Sequence, residues 1–256
     1  MLNKYVRGIM GMDKELLEKM YGDRNYYNKQ FRAKTYLDAT EKFCNEYMFI
    51  FNAICDEIEA VEENKDVIME NFADEFVGLM ADIVKVGGKQ PKSRDMLETN
   101  LYMVMYVFPC VIETGRPDSK ELAECIIARW NKAFKNTNVS LSDYKSIDSG
   151  FKRKMCYITT AVCDSFDKPD DCYELTTLRR FRDEYMASSE EGVKLIEEYY
   201  EKAPRIVQTI NTRADAADVY RMLFDTYINP CICMIETGKM EECLLHYKKM
   251  VEKLSL

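Results

Sequence analysis

Cys156, Cys163 and Cys172 are the densest group of chemically capable side chains in the sequence. Their spacings are C-x6-C and C-x8-C. Tight metal sites more often use C-x2-C pairs, because a two-residue turn presents both sulfurs together. Cys156 and Cys163 fall on one face of a helix, two turns apart. On a straight helix their sulfurs would stand roughly 10 Å apart, too far to share one ion unless the helix starts after Cys156. Cys172 can approach Cys163 across the loop at Pro169, and Cys231, Cys233 or Cys243 can add a ligand from a neighbouring helix. The chemistry this suggests is a zinc or iron–sulfur site on Cys156, Cys163, Cys172 and Cys231. The competing expectation is that the thiols fill core space as small hydrophobes.

Cys156 has a second reading. It follows Lys152-Arg153-Lys154 and is placed near a helix start, where positive charge and the helix dipole favour thiolate. It is therefore the candidate reactive or redox-sensitive thiol, against the alternative of a packed Cys beside Tyr157 and Ile158. The run Arg179-Arg180-Phe181-Arg182-Asp183 is the other chemical feature. Arg179, Arg182 and Asp183 share a helix face by their spacing. Arginine forks bind carboxylate or phosphate bidentately, or they pair with Asp170, Asp171 or Glu174 and hold helices together. Tyr199, Tyr200 and Pro204 are expected to close over Cys156 or over this arginine face, which makes Arg179, Arg182, Asp183, Tyr199 and Tyr200 the candidate binding residues.

Most catalytic constellations lack their parts. The chain has one histidine, His246, so zinc chemistry through several histidines is excluded, and a Cys–His pair would need His246 to fold back onto a thiol such as Cys156. No G-x-S-x-G, phosphate-cradling glycine loop, H-E-x-x-H or G-x-G-x-x-G occurs. No catalytic residue is assigned. A small-molecule enzyme using Arg179, Arg182 and Tyr200 ranks last.

These residues must be positioned by helices. In 256 residues there are only 10 Gly and 6 Pro, while 47% are hydrophobic and 31% charged. Few breakers and many helix formers imply long helices, short connections and an all-α bundle. The net charge of −8 argues against a duplex nucleic-acid footprint. No segment reaches the ~18 apolar residues of a membrane span, and the start carries no secretory signal. A cytoplasmic chain with ten reduced cysteines is expected.

Thr35-Tyr36-Leu37-Asp38 looks like a capping box, opening a helix with Phe43, Tyr47, Ile50, Phe51, Ile54 and Ile58 on one stripe. A second helix spans about 66–85, with Ile68, Phe72, Phe76, Leu79, Met80 and Ile83 as its face, and Gly87-Gly88 ends it. Ser93 starts a third, nearly all apolar from Leu101 to Ile112, with a kink expected at Pro109. Asp118 caps a fourth through Ile126, Ile127, Trp130 and Phe134. Residues 136–150 lose all apolar period and are expected to link an N-terminal domain, 1–135, to a C-terminal one, 151–256. Helices then resume near 156–166, 172–186, 190–201, 204–211, 214–236 and 240–254. Cys110-Val111-Ile112-Glu113-Thr114-Gly115 matches Cys233-Met234-Ile235-Glu236-Thr237-Gly238, each ending a long helix that contains a proline. An internal helix-hairpin duplication is thus expected, with chance likeness of helix ends as the alternative.

Cys156-Tyr157-Ile158-Thr159-Thr160-Ala161, then Leu178-Arg179-Arg180-Phe181-Arg182-Asp183, then Gly192, Tyr199-Tyr200, Ala203-Pro204 and Ile210 occur in the order of a known pattern. Over residues 156–210 the chain resembles the CFI-box family of bacterial and archaeal proteins. The resemblance implies a helical module of uncharacterised role. Tyr157 stands where that family usually has Phe, and Cys163 and Cys172 are not required by its pattern. The expected function is a non-enzymatic module that binds another protein. The alternative is a metal or redox protein centred on Cys156, Cys163 and Cys172.

Overall fold

The structure, a computed structural model, describes residues 14–152 and 156–254. Among these residues every regular element is helical. They divide between Asp148 and Ser149 into two compact units. Among the described residues no helix is long and apolar enough to cross a membrane.

The N-terminal unit is built from α1 (Lys14–Gly22), α2 (Arg24–Gln30), α3 (Tyr36–Ala60), α4 (Lys65–Val84), α5 (Ser93–Tyr102), α6 (Phe108–Glu113) and α7 (Ser119–Ala133). The α3 stripe is buried as its period predicts. The α4 face is rotated: Met69, Phe72, Ala73, Phe76, Val77, Met80 and Val84 are buried, while Ile68, Leu79 and Ile83 lie at its edge. The expected capping box at Thr35 does not form. Its hydroxyl donates instead to the Gln30 carbonyl at 2.8 Å. Asp118 likewise makes no cap and takes Lys65 at 3.0 Å.

Pro109 produces a π-helical turn, Met103–Val107, between α5 and α6. A proline has no N–H to give the carbonyl four residues earlier, here that of Met105. The Tyr36 hydroxyl donates to that carbonyl at 2.9 Å, and Tyr144 donates to the neighbouring Tyr106 carbonyl at 2.7 Å. The ladder is widened and its exposed acceptors are filled from outside, which is how a buried helix tolerates proline.

Of the stretch expected to link the two halves, 136–150, the part up to Asp148 belongs to the N-terminal unit. Asn131 acts as a surrogate backbone, its amide donating to the Val139 carbonyl at 2.9 Å and its oxygen accepting from the Val139 N–H at 2.8 Å. Val139, Tyr144 and Ile147 are buried, and helix α8 (Tyr144–Lys152) begins in this stretch. A segment held by side-chain amides shows no helical period, so counting periods misses it.

The C-terminal unit contains α9 (Tyr157–Asp164), α10 (Tyr173–Arg180), α11 (Glu190–Asn211), α12 (Ala216–Leu223), α13 (Asn229–Glu236) and α14 (Met240–Leu254). The two helices expected at 190–201 and 204–211 are one, with Pro204 inside it. An interior proline costs about 3 kcal/mol. Buried Tyr199, Ala203, Ile206 and Ile210 line one side of α11 and carry it through. A π turn, Phe224–Ile228, precedes α13. Pro230 follows it as Pro109 follows the first, and the carbonyl it leaves without a donor is that of Thr226. His246 Nε2 lies 2.9 Å from that oxygen. A carbonyl only accepts, so Nε2 carries the proton. Gly115 and Gly238, at φ 68° and 74°, end the two proline-bearing helices in the left-handed region.

Candidate functional site

The C-terminal unit holds a small open pocket. Its walls come from α10 and the π turn Phe181–Tyr185, from Met186, and from facing sides of α11 and α14. Leu178, Phe181, Met186, Leu195, Ile196, Leu244 and Val251 make it apolar, and Glu198, Lys248 and Glu252 stand among the lining.

Cys156 and Arg182 are the chemically capable members of the wall. Cys156 is the residue before α9, its backbone non-helical and its side chain buried. Arg182 Nη1 lies 3.5 Å from its sulfur and donates to the Tyr200 hydroxyl at 2.9 Å. The same guanidinium grips Asp183 through two bonds of 2.7 and 2.9 Å. Arg182 and Tyr200 are therefore brought together as expected. Arg179 is turned elsewhere, gripping Asp170 at 2.6 and 3.1 Å and its carbonyl at 2.8 Å. Tyr199 is buried and also lines the pocket, its hydroxyl accepting the Ile158 N–H at 2.9 Å. Pro204 is buried inside α11 and is not part of the pocket lining.

The electrostatics of Cys156 differ from expectation. Arg153 and Lys154 lie outside the described residues, so their charge cannot be placed beside it. Burial pushes the Cys156 thiol above the ordinary range. Arg182 and Arg179 pull it down, and Asp183 opposes them, leaving the net direction upward. A raised pKa means less thiolate at any given pH. Alkylation of Cys156 by iodoacetamide, read by peptide mass spectrometry, is therefore expected to be slower at pH 8 than that of a free cysteine peptide. It should accelerate only beyond the ordinary thiol range near ~8.5, and Arg182→Met should slow it further. Alkylation faster than the free peptide would overturn the dominance of burial.

The three sequence-flagged cysteines do meet. Cys156 and Cys163 pack with Leu175 in one small cluster, and Cys172 closes it from the side. They do not form a metal centre: among the described residues no group of three or more His, Cys, Asp or Glu is placed to hold an ion. Cys231 belongs to the larger core and faces Cys243, its thiol 3.9 Å from the Cys243 carbonyl. Helix α13 thus turns it toward α14 and leaves the Cys156 cluster without it. His246 is committed to Thr226 and makes no pair with a thiol.

Other groups carried no sequence signal. Lys168 and Glu174 form an ion pair beside Cys163 and Cys172. Leu244, Tyr247 and Val251 of α14 complete the pocket. Of the first pair, Lys168 lies within the Cys163–Cys172 interval and Glu174 two residues beyond it. The sequence named Cys243 and His246 of α14 as possible neighbours of Cys156, and not Leu244, Tyr247 and Val251, which reach the pocket through the tertiary fold. No protein-family model, no curated protein and no solved structure matches the chain.

Proposed function

We propose that the chain is a non-enzymatic helical module that binds another protein, and that the pocket between α10, α11 and α14 seats an apolar side chain of that partner. The carrying observation is the pocket's composition: aliphatic and aromatic walls with charged groups of both signs among them. Such a lining rewards burial of an apolar anchor and sets its orientation at the rim. The CFI-box resemblance over 156–210 belongs to the same reading. Tyr157, Ile158, Leu178, Phe181, Tyr199, Ala203 and Ile210, which fall in its quoted motifs, share one core, as parts of a single module would. A cytoplasmic location, where its free cysteines stay reduced, and the origin of the two proline-bearing hairpins by duplication are proposed with it.

The test is a selection of displayed helical peptides on the immobilised chain. Selected peptides are expected to share one large apolar anchor. They should lose about tenfold or more in affinity for Ile196→Arg, which puts a long charged side chain where the apolar anchor would sit. Peptides that bind Ile196→Arg equally well would move the interaction off this pocket.

A further inference from the structure

Three thiol pairs bridge separate elements, and they are not equivalent. Cys231 and Cys243 touch one another, fully buried among apolar groups. Cys44 and Cys110 touch between α3 and α6. Their polar neighbour, Tyr144, already donates its hydroxyl proton to Tyr106 and can only accept from Cys44, at 3.7 Å. Cys163 and Cys172 differ in having both an acid–base group and a cation at hand.

Cys163 is buried in the last turn of α9 and Cys172 is half-buried at the residue before α10. Their side chains pack in one small cluster. The connecting loop is folded back on itself, Lys168 N–H bonding the Cys163 carbonyl at 3.0 Å and Cys172 N–H the Pro169 carbonyl at 3.0 Å. The Glu174 carboxylate is close enough to feel Cys172, and it is held below the ordinary carboxylate range, chiefly by Lys168. Glu174 is ion-paired with Lys168, whose charge acts on both sulfurs. We propose that Cys163 and Cys172 are a dithiol–disulfide couple oxidised by hydroperoxides, with Cys172 as the attacking thiol, the Glu174–Lys168 ion pair beside it as a transient proton relay and Cys163 as the resolving thiol.

The step balances. Cys172 gives its proton to Glu174, and its sulfur attacks one oxygen of hydrogen peroxide. The O–O bond breaks, the sulfur becomes a sulfenic acid, and the departing hydroxide takes the proton back from Glu174 as water. The Cys163 sulfur then attacks the sulfenic sulfur. The S–S bond forms at ~2.05 Å, the S–O bond breaks, and hydroxide leaves with the Cys163 proton as a second water. Two thiols supply two electrons to one peroxide. Lys168 stabilises the transient Cys172 thiolate.

The experiment treats the full chain with equimolar hydrogen peroxide, blocks remaining thiols under denaturing conditions, and maps peptides without reduction. The peptides holding Cys163 and Cys172 are expected to link first and to separate again with dithiothreitol. Glu174→Gln should slow linkage about tenfold. Cys163→Ser should leave a Cys172 sulfenic acid that dimedone traps. If Glu174→Gln fails to fold by circular dichroism, Lys168→Met decides, and it too should slow linkage. The proposal is overturned if exposed Cys233 oxidises while Cys163 and Cys172 stay blockable. It is equally overturned if linkage proceeds at the parent rate in the folded variant.

Discussion

Gly192→Ala is expected to destabilise the C-terminal unit by about 3 kcal/mol, although alanine is the better helix former. A Cβ on Gly192 would stand 1.9 Å from the Met186 carbonyl oxygen, 2.7 Å from its carbon and 2.9 Å from Ser189 Oγ. Two of these are backbone atoms, so relief requires moving the turn Met186–Ser188 or the first turn of α11. Moving the turn also loosens the cap in which Ser189 Oγ accepts the Gly192 N–H at 3.0 Å, worth about 1 kcal/mol. Helix propensity returns at most ~1 kcal/mol, so the clash wins. The unfolding midpoint of this unit, followed by circular dichroism, should fall by roughly 10–20 °C. Because Met186 lines the pocket, peptide affinity should fall with it. Gly78→Ala is the control: nothing lies within 4 Å of its Cβ position in the middle of α4. It should leave stability unchanged or raise it by up to ~1 kcal/mol. An unchanged midpoint in Gly192→Ala would show that α11 does not start against Met186.

Trp130→Ala should cost the N-terminal unit about 4–5 kcal/mol, the range for emptying a large aromatic site. The ring is fully buried, with the Phe134 centroid at 4.5 Å and that of Phe108 at 6.4 Å. Its Nε1 donates to Asn100 Oδ1 at 2.9 Å, and Asn100 in turn donates to Thr137 at 3.0 Å. Alanine leaves both a cavity and a buried carbonyl oxygen without its donor, and the second deficit alone is about 1–3 kcal/mol. Trp130→Phe keeps most of the ring and loses only the donor, so it should cost clearly less. Urea unfolding of the three proteins measures both parts. Equal losses for Ala and Phe would mean that the hydrogen bond, and not ring burial, dominates.

These two positions mark the limits of sequence reading. The period that placed Trp130 on a buried face is visible in one dimension, because Ile126, Ile127 and Phe134 repeat around it. Its partner Asn100 is not visible, because a polar residue in an apolar helix carries no pattern that names its mate. Gly192 was legible only as part of the CFI-box-like order of residues. That it is a contact glycine follows from the path of the preceding turn.

The sequence by itself determined the helical class, most helix cores and the stops at Gly87, Gly115 and Gly238. Those features rest on local steric preference and on apolar period, both properties of a few neighbouring residues. It also singled out Cys156, Cys163 and Cys172 as one group and Arg182, with Arg179 and Asp183, as another. Only the tertiary structure decided how the two groups meet. The widened helix at Pro109 depends on Tyr36, and the role of His246 on Pro230. Whether Cys231 joins Cys156 or Cys243 depends on how α13 meets α14. The direction of the Cys156 shift depends on burial outweighing two arginines. Each is a sum over groups distant along the chain, and local spacing holds no information about such sums.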